Sequence, residues 1–148
     1  MNKAAQALAS GVAGAVTLTL LHETAKRVTD KAPRADLLGM RTIAKVMRKA
    51  DQEPPPDDRL FWWSLAGDLV SNSLYYSLAA LGNEDRAWLR GTALGLGAGA
   101  GAVALPGQLG LGTRPTGRTQ ATKAMTVAWY LAGGLAAAAT AKCLARYG

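Results

Sequence analysis

Leu60–Leu81 reads LFWWSLAGDLVSNSLYYSLAAL, 22 residues with one charged side chain, Asp68. As a helix rising 1.5 Å per residue it is about 33 Å long, and the hydrocarbon core of a bilayer is about 30 Å thick. The run predicts a membrane-spanning helix, the one strongly apolar span of the chain. Within it Ser64, Asp68, Ser71, Asn72 and Tyr75 recur at i, i+4, i+7, i+8 and i+11, which gathers them within an arc of about 80–100°. Trp62, Leu65, Leu69, Val70, Leu74 and Leu78 take the rest of the circumference. A polar stripe faces lipid only at high cost, so it is expected to face other helices or a water-filled cavity. Acids inside membrane spans mark functional sites by default. The plainer reading of Asp68 is a hydrogen bond that locks helix packing.

Three further apolar segments flank this one. Ala4–Leu21 and Ala124–Ala141 carry no charge, and Ala87–Leu105 carries only Arg90. Their Ala and Gly content makes them weakly hydrophobic, yet each is about 27–28 Å long as a helix. The expected fold is all-α: an integral membrane bundle of four transmembrane helices, spans 4–21, 60–81, 87–105 and 124–141, in one membrane domain over 1–148. A soluble Ala-rich bundle is the competing class, but these segments lack the polar outer face such helices need. The mean hydropathy of +0.05 conceals strong segregation of charge. Met-Asn-Lys before an apolar run opens like a signal peptide; the run ends in Leu21-His22-Glu23-Thr24 without a small-x-small cleavage site, which predicts a retained span.

Charge predicts the orientation. Twelve of the 17 Lys/Arg lie in Glu23–Arg59 and in the loop before Ala124, while the short loop Asn83-Glu84-Asp85 is acidic. The positive-inside rule then puts both basic loops in the cytoplasm and both termini outside, as in a bacterial inner (cytoplasmic) membrane. Trp62, Trp63, Trp88, Trp129 and Tyr147 lie near span ends, where interfacial aromatics belong, with Trp129 somewhat deep. Between spans one and two, residues 36–50 read as an amphipathic helix. Leu37, Met40, Ile43, Ala44 and Met47 share one face and Arg41, Lys45, Arg48 and Lys49 the other, with Leu38, Gly39 and Val46 as imperfections. Asp36 is placed to cap its start. Such a helix lies on the cytoplasmic leaflet or docks on a partner protein. Arg41, Lys45, Arg48 and Lys49, with Arg114 and Arg118 of the later loop, are the expected contacts for anionic lipid headgroups.

Gly91, Gly95 and Gly99 repeat at four-residue spacing, with Gly97 and Gly101 offset by two. This glycine zipper permits close helix contact, within the chain or between subunits. The GxGxxA string Gly97–Ala102 is not a dinucleotide site, which needs a preceding strand and a βαβ unit. His22-Glu23-Thr24-Ala25-Lys26 has Lys26 where a zinc-binding H-E-x-x-H places its second His, and the chain has no other. His22 and Glu23 are therefore expected to be interfacial polar groups. Gly112–Thr119 imitates a P-loop but joins two spans. The single Cys143 excludes an internal disulfide. No metal, cofactor or nucleic acid is implied, and no Ser/His/Asp or Cys/His set supports catalysis.

Two function classes compete. The first is a non-catalytic accessory or assembly subunit, in a homo-oligomer or a larger membrane complex, held through its glycines. The second is a small transporter or channel with a polar path around Asp68. A lipid-modifying enzyme at the cytoplasmic face, using His22, Glu23 or Asp68, stands behind both.

Overall fold

The computed structural model describes residues 1–147, and among them every regular element is helical. Helix α1 covers Lys3–Val28, α2 Ala35–Lys49 and α3 Asp57–Ser77; a 3-10 turn continues α3 over Leu78–Ala80. After a second 3-10 turn at Glu84–Arg86 come α4 (Ala87–Gln108), the short α5 (Arg114–Gly117) and α6 (Gln120–Tyr147). The local reasons are visible at the ends. Asn2 caps α1 by accepting from the Ala5 N–H at 2.8 Å. Pro56 precedes α3, and Asp57 and Asp58 sit in its first turn, where the positive end of the helix dipole favours them. Pro54-Pro55-Pro56 forbids any continuation of α2 into α3.

Two helices are long and apolar enough to cross a membrane, α1 and α6. This reverses the ranking expected from the sequence, in which Leu60–Leu81 is the strongly apolar run. The hydroxyls, amide and acid of the α3 stripe, and the glycines and Arg90 of α4, lower the mean hydropathy of those two helices. Alanine, by contrast, keeps α1 and α6 apolar along their length.

The four long helices are alternately antiparallel. α6 lies between α4 and α1, α1 lies between α6 and α3, and α2 folds back along the first half of α3. Small residues make the closest approaches. Gly91 and Gly134 face each other so closely that a Cβ on either would strike the other's carbonyl oxygen, and Gly14 meets the Gly133 carbonyl. A Cβ on Gly95 would lie 2.6 Å from the Leu131 Cα, and one on Gly99 2.7 Å from the Val127 Cα. The stripe Gly91-Gly95-Gly99 is therefore occupied by α6 of the same chain. Gly97 and Gly101 are open: a Cβ added to Gly97 would meet only the Tyr75 hydroxyl, at 3.7 Å, and one on Gly101 only Leu105 of its own helix.

The innermost side chains are Leu18, Tyr76, Ala79 and Ala137, with Trp129 packed against them. Trp129 is thus a core aromatic, unlike Trp62, Trp63, Trp88 and Tyr147, which are exposed. Hydroxyls in the interior are tied to carbonyls: Tyr76 donates to Tyr130 O at 2.7 Å and Tyr75 to Leu94 O at 2.9 Å. The 29–34 loop and the segment around α5 meet at one end of the bundle. Arg34 N–H donates to Pro115 O at 2.7 Å, Thr122 Oγ1 to Lys31 O at 2.8 Å and Thr126 Oγ1 to Thr116 O at 2.9 Å. The P-loop-like string is thus a structural tie. At the opposite end Arg90 leaves the bundle and donates to Ala79 O and Asn83 O at 3.1 and 2.9 Å.

Candidate functional site

The polar stripe of α3 divides on folding. Ser64 is buried under α2 and donates to Asp36 O at 3.3 Å. Gly39, counted as an imperfection of the amphipathic pattern, lets α2 approach, since a Cβ there would strike Ser64 Oγ. Tyr75 closes the other end by reaching α4. Between them Asp68, Ser71 and Asn72 border open space, and α3 and α4 make little contact.

A groove of about 630 Å³ runs between α2, α3 and α4, with Ser71, Asn72, Tyr75, Gly97 and Gly101 on its walls and Tyr130 behind. A pocket of about 280 Å³, lined by Gly39, Ser64, Gly67, Asp68, Ser71 and Tyr130, adjoins it. A third cavity, of about 20 Å³, lies deeper, among Thr19, His22, Glu23, Asp36, Ser64 and Asp68. Ser71 and Tyr130 border both the groove and the pocket, and Asp68 borders both the pocket and the deep cavity. Asp68 therefore stands between the pocket and the deep cavity, and the groove reaches the pocket through Ser71 and Tyr130.

Asn72 Nδ2 donates to Asp68 Oδ1 at 3.0 Å and to the Asp68 carbonyl at 2.9 Å. No Lys or Arg pairs with Asp68 among the described residues. The nearby cations are committed elsewhere. Lys26 Nζ lies 2.8 Å from Glu23 Oε1 and 3.3 Å from Asp36 Oδ2, and Arg34 Nη2 lies 2.8 Å from Asp36 Oδ2. Burial pushes the Asp36 carboxyl up; the hydrogen bond from Arg34 and the charges of Lys26 and Arg34 outweigh it and hold the group below its ordinary value. Asp36, expected only as a helix cap, is the centre of an ion-pair cluster joining α1 to α2.

His22 is 5% exposed and sits edge-on to the Tyr130 ring, 5.8 Å between centroids. It is an interior group rather than an interfacial one; Glu23 beside it remains partly open to solvent. Thr19, Lys26 and Tyr130 also belong to this region without having been singled out for it. A hydroxyl one turn before His22 was the available signal for Thr19, since both fall on one helical face.

The six expected headgroup-binding cations do not act alike. Arg41 donates to Leu111 O at 2.8 Å, Lys45 to Leu109 O, and Arg118 to Asp30 O. These three fasten loops to each other and to α2. Gly110 and Gly112, both at positive φ, supply the turn under Lys45 and Arg41, where a side chain would collide with them. Arg48, Lys49 and Arg114 are exposed and make no hydrogen bond or ion pair among the described residues. A cavity of about 770 Å³ opens beside Arg41, Lys45, Arg48 and Lys49, with Glu53 and Asp57 on its rim.

Comparison with family models, curated proteins and solved structures finds no match. Among the described residues no three His, Cys, Asp or Glu side chains are grouped as metal ligands. Chemically, the arrangement offers one carboxyl with an amide neighbour, an aromatic wall, a lateral apolar groove and a buried imidazole. That set can bind a cation or exchange a proton.

Proposed function

We propose that this chain is a four-span integral membrane protein, through α1, α3, α4 and α6, that moves a small cationic or proton-linked solute past Asp68. A carboxyl that no Lys or Arg pairs with among the described residues, between an interior pocket that adjoins a lateral groove and a deeper cavity, is the observation that carries the reading. Ionised, such a group in a membrane demands a positive partner or water, and a solute can be that partner. Tyr130 and Tyr75 add aromatic surface suited to a cation. Exposed Leu8, Val12, Val16, Leu20, Leu69, Val70, Leu74 and Leu96 give the outer surface a belt suited to lipid. The basic loops gather at one end of the bundle, which supports a cytoplasmic placement of that end in a bacterial inner membrane. Arg48, Lys49 and Arg114 would then meet anionic headgroups.

The accessory-subunit reading drew on the glycine zipper. Gly91, Gly95 and Gly99 are used inside the chain, so that support weakens, and transport becomes the preferred class. The proposal is for a carrier or channel without covalent catalysis. The test is reconstitution into liposomes, with flux of protons and of small organic and inorganic cations followed under an imposed gradient. Asp68→Asn is expected to reduce flux about 10- to 100-fold, the worth of a hydrogen bond to a charged group, while helical content is retained. Equal flux in both proteins, or none in the wild type for any of these solutes, overturns the proposal.

A further inference from the structure

Among the described residues two buried polar atoms near Asp68 lack a hydrogen-bond partner, Thr19 Oγ1 and His22 Nε2. Both residues line the deep cavity, and Asp68 lines it from α3. An unsatisfied buried polar group costs on the order of 1–3 kcal/mol, so two facing one cavity call for a common partner. The cavity measures about 20 Å³, and one water requires roughly 10–15 Å³ and two to four polar neighbours. Both conditions are met by Thr19, His22 and Asp68. His22 Nε2 is buried without a partner on a residue that lines the cavity, and an unprotonated Nε2 can accept from a water there.

We propose that the deep cavity binds one water bridging Thr19, His22 and Asp68, and that this water passes protons between the Asp68 carboxyl and His22 Nε2. In the forward direction the Asp68 O–H bond breaks as its proton moves to the water oxygen. A water O–H bond breaks as that oxygen releases a proton to Nε2. A carboxylic acid and a neutral imidazole become a carboxylate and an imidazolium, and the water is regenerated. The groups facing His22 set the balance. Burial of the ring opposes the imidazolium most, and Lys26 opposes it too; Asp36 on α2 favours it, Glu23 on its own helix and Asp68 on α3 border the same cavity, and Tyr130 on α6 meets the ring edge-on. Glu23 and Asp36 border the same cavity and lead toward the end of the bundle that carries the basic loops. Asp68 thus has one side toward the pocket and another toward the cavity it shares with His22, as a proton-coupled solute site requires. The coupling role rests on the proposed transport function; the proton exchange itself does not.

His22 is the only histidine, so selective ¹⁵N-histidine labelling of the full chain gives one imidazole to follow. The protein is placed in nanodiscs of phosphatidylethanolamine and phosphatidylglycerol, and the imidazole is titrated by NMR. Asp68→Asn is expected to move the His22 midpoint toward lower pH by about one unit or more, the usual effect of losing a nearby opposite charge. Reciprocally, His22→Gln moves the titration of the Asp68 carboxylic-acid infrared band toward higher pH, by a matching amount because coupling between two sites is mutual. The second measurement stands alone if Asp68→Asn does not fold. Thr19→Val, which keeps the side-chain shape, is expected to reduce the mutual displacement by at least half. Unmoved midpoints in folded variants overturn the coupling, and an undiminished displacement in Thr19→Val overturns the bridging water. A coupled pair in a protein that carries no solute leaves this inference intact and removes the transport reading; solute flux with an uncoupled His22 does the opposite.

Discussion

Among the described residues Asn72 Nδ2 is the one side-chain donor to the Asp68 carboxyl, at 3.0 Å and one helical turn away. The same nitrogen also holds the Asp68 carbonyl at 2.9 Å, so the amide is fixed by two bonds to one residue. Asn72→Ala removes the donor without altering net charge. Flux in liposomes is expected to fall about tenfold, the equivalent of roughly 1.4 kcal/mol, as for one hydrogen bond to a charged group. Asn72→Ala matching the wild type would mean that Asp68 needs no orientation.

The glycines separate into two classes with opposite expected signs. Gly91 and Gly134 touch through their backbones, and a Cβ on either would enter the other helix. Gly91→Ala is expected to cost about 1–3 kcal/mol, as overpacking does. At Gly67, on α3, no atom lies within 4 Å of an added Cβ. There Gly67→Ala is expected to stabilise by about 0.5–1 kcal/mol through the helix preference of alanine. Thermal unfolding of the two variants in one detergent checks the difference in sign.

The Asp36 cluster predicts an acid limb. Its carboxyl titrates below the ordinary value in the folded protein, and near 3.9 when unfolded. Stability from the cluster is therefore complete above about pH 4 and is lost as pH falls through the lower, folded value. Asp36→Asn is expected to be less stable than the wild type at neutral pH by about 1–3 kcal/mol. The two should converge in acid. Parallel stability curves down to the acid limb would remove Asp36 as its cause.

Cys143 is exposed near the end of α6 and is the chain's only thiol. If both termini lie outside, a membrane-impermeant maleimide labels it in intact spheroplasts. In a Cys143→Ser background, a cysteine introduced by Thr113→Cys reacts only after permeabilisation. The reverse pattern would invert the proposed orientation.

Much of the helical architecture is legible in the residues. Runs such as Ala4–Leu21 and Ala124–Ala141 contain no charge, and their backbone polar groups have only the helix in which to be satisfied away from water. The face shared by Ser64, Asp68, Ser71 and Asn72 follows from helical period alone, and so does the stripe of Gly91, Gly95 and Gly99. Other features mislead when read in one dimension. Leu60–Leu81 looks the most apolar because its Leu and Trp are large, yet its polar stripe lowers its hydropathy below that of the alanine-rich helices. Leu38 and Gly39 look like faults in an amphipathic pattern because the pattern assumes a flat lipid surface; Gly39 makes room for Ser64.

The sequence by itself determined that the chain is helical, that its cations cluster in two loops, and that Asp68 sits on a polar face among apolar residues. Only the tertiary structure decided where the glycines make contact, that His22 is buried, and that Thr19, His22, Asp36 and Asp68 border one cavity. The physical reason is that period and charge are properties of a single helix. Contact between α1, α2 and α3 depends on how closely their backbones approach, and therefore on small residues such as Gly11, Gly14 and Gly39 acting at a distance along the chain. Asp68 is visible as an acid in an apolar run; that no Lys or Arg among the described residues pairs with it, and that it shares one small cavity with an imidazole, follows from packing alone.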